Sequence, residues 1–315
     1  MDIASLLTPV FAQAAHGAQA AAPESSKSAI DIIGHVANGE HPLVHLPAVF
    51  GIDFSITKHV FMLWVVAAAV FFGITAIVRS SLRRGSLVPA GSATALEIVV
   101  EFIRDSLALP NVGKKWLGAW TPLLLTLFVF ILGANAIGLV PIFDVIALVD
   151  HLVIKSAPDS WLQRLIHGGS TATGNFNVTA ALATVTFFAI ILAGSRAHGF
   201  LKHWKNLVPR GMPLPLYILL IPMEIVGMLV RPFALTMRLA ANMTGGHIAI
   251  LAIMSFVFVF AQLLGPAGGI GVGLGLSVPL AVAISALEIV VVLVQAYVFT
   301  LLTAVFIGMA IHAHH

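Results

Sequence analysis

"LTMRLAANMTGGHIAI", residues 235–250, lies inside an apolar run that extends from about residue 212 to 264. A run of that length reads as membrane-embedded helix. It nevertheless carries Arg238, and a charge at the centre of such a helix costs roughly 2.5–3.5 kcal/mol on the insertion scale. Arginine does not shed its proton to escape that cost. Asn242 follows one helical turn later and His247 about a turn and a half beyond. A charge held so far from both ends of a membrane helix marks a functional site by default.

The rest of the chain agrees with a bilayer setting. Of 315 residues, 59% are hydrophobic and 9% charged, and the mean hydropathy is +1.02. A soluble domain carries about 25% charged residues, so this chain has too little polar material to meet water over its surface. Apolar runs of about 20 residues or more favour helices over the roughly 10-residue alternating strands of a barrel. There are no cysteines, which removes disulfides, thiol catalysis and thiolate metal sites.

The sequence divides into three segments. Residues 1–57 are mixed in character, with five acids and Lys27 as the one base. Residues 58–211 contain a first span over 58–78, an interfacial helix, a second span over 117–140, and a third over 177–195. In "TALEIVVEFIRDSLAL" Glu97, Glu101 and Asp105 form one polar stripe, and Leu96, Val99, Val100, Ile103 and Leu107 cover the other side. That pattern predicts an amphipathic helix lying in the membrane interface. Residues 212–315 hold two apolar runs, about 212–264 and 276–311. The first run is about 80 Å as one helix, against a hydrocarbon core of about 30 Å. It is therefore either two spans broken near Pro232 or one arm of a long, strongly tilted pair. The expected fold is an all-α polytopic membrane protein with about five embedded helices and one interfacial helix.

Charge bias sets the orientation. Six bases lie in 79–115 (Arg79, Arg83, Arg84, Arg104, Lys114, Lys115) and four in 196–210 (Arg196, Lys202, Lys205, Arg210). The N-terminal segment and the loop at 141–176 have few. The positive-inside rule places both basic regions in the cytoplasm, the N-terminus outside and the C-terminus inside a bacterial plasma membrane.

The final two runs carry the remaining polar residues. At 100° per residue, Arg238, Asn242, Gly245 and Ala249 share one face, and His247 points to the opposite side. Glu224 lies about 40° off the arginine's face and is the nearest acid on that run. Glu288 and Gln295, seven apart, share a face of the last helix. Asn242, His247, Glu288 and Gln295 are thus placed to meet between two antiparallel helices. Each has a plainer reading: Arg231 beside Pro232 as an interfacial snorkel, Glu224 as a structural partner, His247 as a bonded core histidine. The Gly-rich "GPAGGIGVGLGLS" has no preceding strand and is a turn or a close-packing surface, not a dinucleotide loop. No HExxH, GxSxG or P-loop pattern is present. The "HAHH" tail lacks the supporting shell of a metal site. Cofactor, metal and nucleic acid are not expected.

The stretch "RPFALTMRLAANMTGGH" resembles the RLxxNxxxG(E/H) signature of subunit a, the stator channel of F-type ATP synthases. "LEIVVVLVQAYVFTLLTAVFIGMA" at 287–310 is similar to that family's last helix, and "NAIGLVPIF" at 135–143 and "NFNVTAALA" at 175–183 to upstream segments. The resemblance covers roughly residues 45–311. It implies that Arg238 faces a rotating ring of c subunits. It implies that Asn242, His247, Glu288 and Gln295 line an outer aqueous half-channel and that Glu224 lies near an inner one. It also implies steeply tilted final helices, peripheral-stalk b-type subunits against the outer helices and the amphipathic helix, and ATP chemistry on other chains. Two departures stand out. His247 and Glu288 are exchanged relative to many bacterial members, which keeps one imidazole and one carboxylate across the interface. Asn175 replaces a frequent Asp. The rival readings are an independent secondary transporter, which would show inverted repeats, and an intramembrane enzyme, for which no nucleophile or metal constellation is visible.

Overall fold

The computed structural model describes residues 55–84, 91–139, 172–205 and 214–312, with positions 146, 150 and 160 between them. Expectations for most of residues 1–57, for most of the 141–171 loop and for residues 313–315 fall outside these residues. The helices, in chain order, are α1 (Lys58–Arg84), α2 (Ser92–Glu101), α3 (Leu109–Val112), α4 (Leu117–Leu139), α5 (Phe176–His198), α6 (Phe200–Lys205), α7 (Leu214–Val272) and α8 (Val278–Ile311). A π-helical turn, Phe102–Ala108, joins α2 to α3, and a second, Gly273–Ser277, joins α7 to α8.

The described residues form an all-α, multi-span membrane architecture. Three spans, α1, α4 and α5, are each long and apolar enough to cross a bilayer, and so is the stretch from Ile218 to Ile311. Gly265 divides that last stretch: its φ of 77° and ψ of 176° reverse the chain into a hairpin. The count is therefore five. The expected alternative break at Pro232 does not occur, because α7 runs on through it. Proline is tolerated inside membrane helices; its ring removes one donor and so frees the carbonyl of Met228, four residues back. Separately, the Thr236 hydroxyl donates to the Pro232 carbonyl at 3.0 Å. α1 is six residues longer than expected, continuing through "RSSLRR".

The core is where α4, α5, α7, α8 and the interfacial helix meet. Leu124 and Ile131 of α4, Ile190 and Ala193 of α5, Leu235 and Leu239 of α7, and Ala296, Phe299 and Ile307 of α8 are buried together. The amphipathic helix contributes Ile103, Leu107 and Val112 to this core, and leaves Glu97, Glu101 and Asp105 exposed. Arg104 bonds to its neighbour Asp105 at 2.8 Å and holds that carboxyl below its ordinary range. Gly308 of α8 faces the Asn111 carbonyl so closely that a Cβ there would overlap it. This contact seats the end of the interfacial helix on α8. Asn175 caps α5, its side chain accepting from the Asn177 amide at 2.8 Å. Asn175 thus does the helix-capping that Asp and Asn share.

Candidate functional site

α7 is fixed against the core by a ridge at i, i+4 and i+8: Leu235, Leu239 and Met243 are all buried. That ridge decides where the polar residues go. Arg238 lies about 100° to one side of it and His247 about 80° to the other. Arg238 is exposed, and so are Asn242 and Gly245 on its side. A Cβ added at Gly245 meets nothing within 4 Å, so this face is open and flat. Among the described residues no carboxylate pairs with Arg238.

On the other side α8 supplies the partners. His247 Nδ1 lies 3.3 Å from Glu288 Oε1, with the two side chains 17% and 5% exposed. A carboxylate so buried needs a partner of complementary charge or a proton. The contact has ion-pair distance but not hydrogen-bond alignment, since Oε1 accepts no formal hydrogen bond among the described residues. Two turns further along α8, buried Gln295 accepts from Asn242 Nδ2 at 2.9 Å. The four residues expected between the helices are brought together as two pairs, one toward the Arg238 face and one behind it.

Glu224 is placed differently from its expected relation to Arg238. It pairs with Arg231, with 3.5 Å between Oε1 and Nη2. The two are seven residues apart, two turns of one face. The Arg231 guanidinium also lies 5.6 Å from the centre of the Phe306 ring, so Arg231 is held by α8 and is not a free interfacial snorkel. With that pair neutralised, Arg238 is left without a counter-ion among the described residues.

Gly246 is a site residue that sequence reasoning missed. A Cβ there would sit 2.7 Å from Glu288 Oε1, so the missing side chain is the space the carboxylate occupies. The signal was the Gly245–Gly246 doublet directly before His247, whose two glycines, about 100° apart, serve different faces. Thr244 was missed as well. Its hydroxyl donates to the Gly174 carbonyl at 3.3 Å. Thr173 in the same turn donates to buried Asn135 of α4 at 2.6 Å. These bonds tie the turn Ala172–Gly174 to both α4 and α7 beside the His247–Glu288 pair.

The sequence profile of the family described as ATP synthase A chain matches residues 60–308. The chain belongs to that family. It is 38% identical over 304 residues to ATP synthase subunit a 2 of Chlorobium luteolum, covering 93% of this chain and 79% of that protein. Identity to ATP synthase subunit a of Chloroherpeton thalassium is 38%, over 91% of this chain and 78% of the relative. For the Myxococcus xanthus ATP synthase subunit a it is 40%, over 84% and 75%. The matched span includes every polar residue of the site, and the independent-transporter reading finds no support in these relatives.

Proposed function

We propose that the chain is the ion-conducting stator subunit of a rotary ATP synthase, non-catalytic in itself. Residues 58–211 act as scaffold and 212–315 carry the ion pathway. The observation that carries this reading is Arg238: a permanent charge on an open face of α7, with no carboxylate partner among the described residues. A partner that brings carboxylates past it, one after another, completes the site. A ring of c subunits bearing one intramembrane acid each fits that requirement.

The geometry supports a division of labour. The Arg238 guanidinium favours the ionised form of a passing carboxylate. It also raises an electrostatic barrier to a proton crossing directly from one side to the other. His247 and Glu288, at 3.3 Å, pair an imidazole with a carboxylate, a combination able to accept and release a proton. With Asn242 and Gln295 they form the outer half-channel. Glu224, paired with Arg231, borders the inner one. Protons then enter from one side, ride the ring and leave on the other, each driven by about 2.3 kcal/mol per 100 mV. The N-terminus lies outside and the C-terminus in the cytoplasm, in accord with the positive-inside bias. Peripheral-stalk b-type subunits take the outer helices and the exposed acidic edge of the interfacial helix.

The test is Arg238→Ala in the assembled complex in membrane vesicles. Loss of proton-driven ATP synthesis is expected, and normal coupled synthesis overturns the reading.

A further inference from the structure

Ser277 ends the π-helical turn that connects α7 to α8. It is fully buried, and its hydroxyl oxygen has no hydrogen-bond partner among the described residues. A serine in a helix ordinarily satisfies its hydroxyl on a carbonyl one turn back, as Thr300 and Thr303 do further along α8. Ser277 does not. A buried hydroxyl left unmatched calls for an explanation, of which a bound water is the commonest.

The surroundings are built for close approach. Gly269, Gly273 and Ser277 follow one another at intervals of four along one side of the returning chain. A Cβ on Gly269 would come 2.9 Å from the Val257 carbonyl of α7, and one on Gly273 would come 3.3 Å from the Val257 side chain. The seam between the two arms is thus lined by backbone and small groups at its closed end, with the Ser277 hydroxyl within it. π turns of this kind occur frequently at functional sites.

Ser277 also lies in register with the polar pairs. Glu288 is eleven residues further along α8 and Gln295 eighteen, about three and five turns, and all three are buried on one face. The rise from Ser277 to Glu288 is about 16 Å. Half-buried Ala281 and Ser285 lie between them on that side. Small and hydroxylated residues therefore run from the hairpin end to the carboxylate.

We propose that Ser277 holds a water molecule at the outer end of the α7–α8 seam and acts as a proton-entry station leading to Glu288. The hydroxyl offers one donor and two acceptor positions, which suits it to orient a water in a chain without itself changing charge. This inference rests on the channel reading above and adds a residue to it.

The chain contains no cysteine, so Ser277→Cys introduces its only thiol. The assembled complex carrying that substitution is placed in inverted membrane vesicles with Ag⁺, a thiol-binding cation small enough to travel with water, on both sides of the membrane, because the outer side faces the vesicle lumen. ATP-driven proton pumping is expected to fall at least fivefold more than in the parent complex under the same treatment. Ser277→Ala, which removes the hydroxyl with little change of volume, is expected to lower proton flux several-fold at unchanged assembly. Pumping as resistant to Ag⁺ as the parent's, or parent-like flux in Ser277→Ala, overturns the assignment. Arg238→Ala in the same vesicles separates the two levels. If it retains coupling, the channel reading itself fails. If it loses coupling while Ser277→Cys ignores Ag⁺, only the station is lost.

Discussion

At the scale of single residues, the site depends on which side of the Leu235–Leu239–Met243 ridge each polar group falls. That much was legible in the sequence, because helical periodicity alone separates Arg238 from His247 by half a turn. That Asn242, His247, Glu288 and Gln295 meet between two antiparallel helices, with His247 toward Glu288, followed from the same arithmetic; the Asn242–Gln295 pair did not. Nor did the partner of Glu224. The sequence related Glu224 to Arg238 and read Arg231 as an interfacial snorkel, whereas Arg231 pairs with Glu224 and lies against Phe306 of α8. Gly246 was hidden for a related reason: a glycine's role is set by what lies opposite, here Glu288 Oε1 at 2.7 Å from any Cβ. Gly246→Ala should therefore displace the Glu288 carboxylate from His247. Overpacking of this kind costs about 1–3 kcal/mol, enough to slow proton-driven ATP synthesis roughly tenfold if it falls on the transfer step. Synthesis rates in vesicles, normalised to assembled complex, check this, and an unaltered rate would mean that the carboxylate position is immaterial. His247→Ala should also slow proton flux while leaving assembly intact; flux equal to the parent's would favour a structural histidine.

At the scale of elements, the question left open by the sequence was whether the long apolar run breaks at Pro232. It does not: the helix continues to Gly265, the first residue of the Gly-rich stretch read as a turn between the two runs. Proline is a weak breaker inside a membrane because the alternative, an unpaired backbone in hydrocarbon, is worse than a strained helix. Gly265 instead adopts φ 77° and ψ 176°, a region that is essentially closed to residues with a Cβ and costs of order 1–3 kcal/mol when forced. The run of glycines around it obscured which one carries the turn. Gly271, six residues on, is helical and has no atom within 4 Å of an added Cβ. Gly265→Ala should lower the thermal stability of the complex by that order, whereas Gly271→Ala should be neutral or slightly stabilising, since alanine is the better helix former by about 1 kcal/mol. Thermal denaturation of the two variants side by side checks the assignment, and equal melting would place the turn elsewhere.

For the whole molecule, composition and span count were enough to read a five-span helical membrane protein, yet they hid how incomplete the chain is alone. The arm from residue 214 to 264 is about 76 Å long. Kept within a hydrocarbon core of about 30 Å it must lie steeply inclined. Its outer side is apolar and open: Ile218, Met223, Phe233 and Leu264 are all exposed, as are Leu287 and Val290 on α8. Lipid covers such a surface as well as protein does, but lipid does nothing for Arg238. The same charge should therefore have opposite effects in two settings. In the isolated chain it is a burden, and Arg238→Leu should raise thermal stability in detergent by an amount approaching the 2.5–3.5 kcal/mol insertion cost of an arginine, reduced by whatever snorkelling the micelle allows. In the assembled complex the substitution should abolish proton-driven synthesis. A permanent charge kept against the stability of its own chain, and needed only when a carboxylate-bearing partner is present, is what a stator facing a moving ring requires. If Arg238→Leu destabilises the isolated chain, the arginine has a partner within it, and the open face of α7 is not where the passing carboxylate meets its charge.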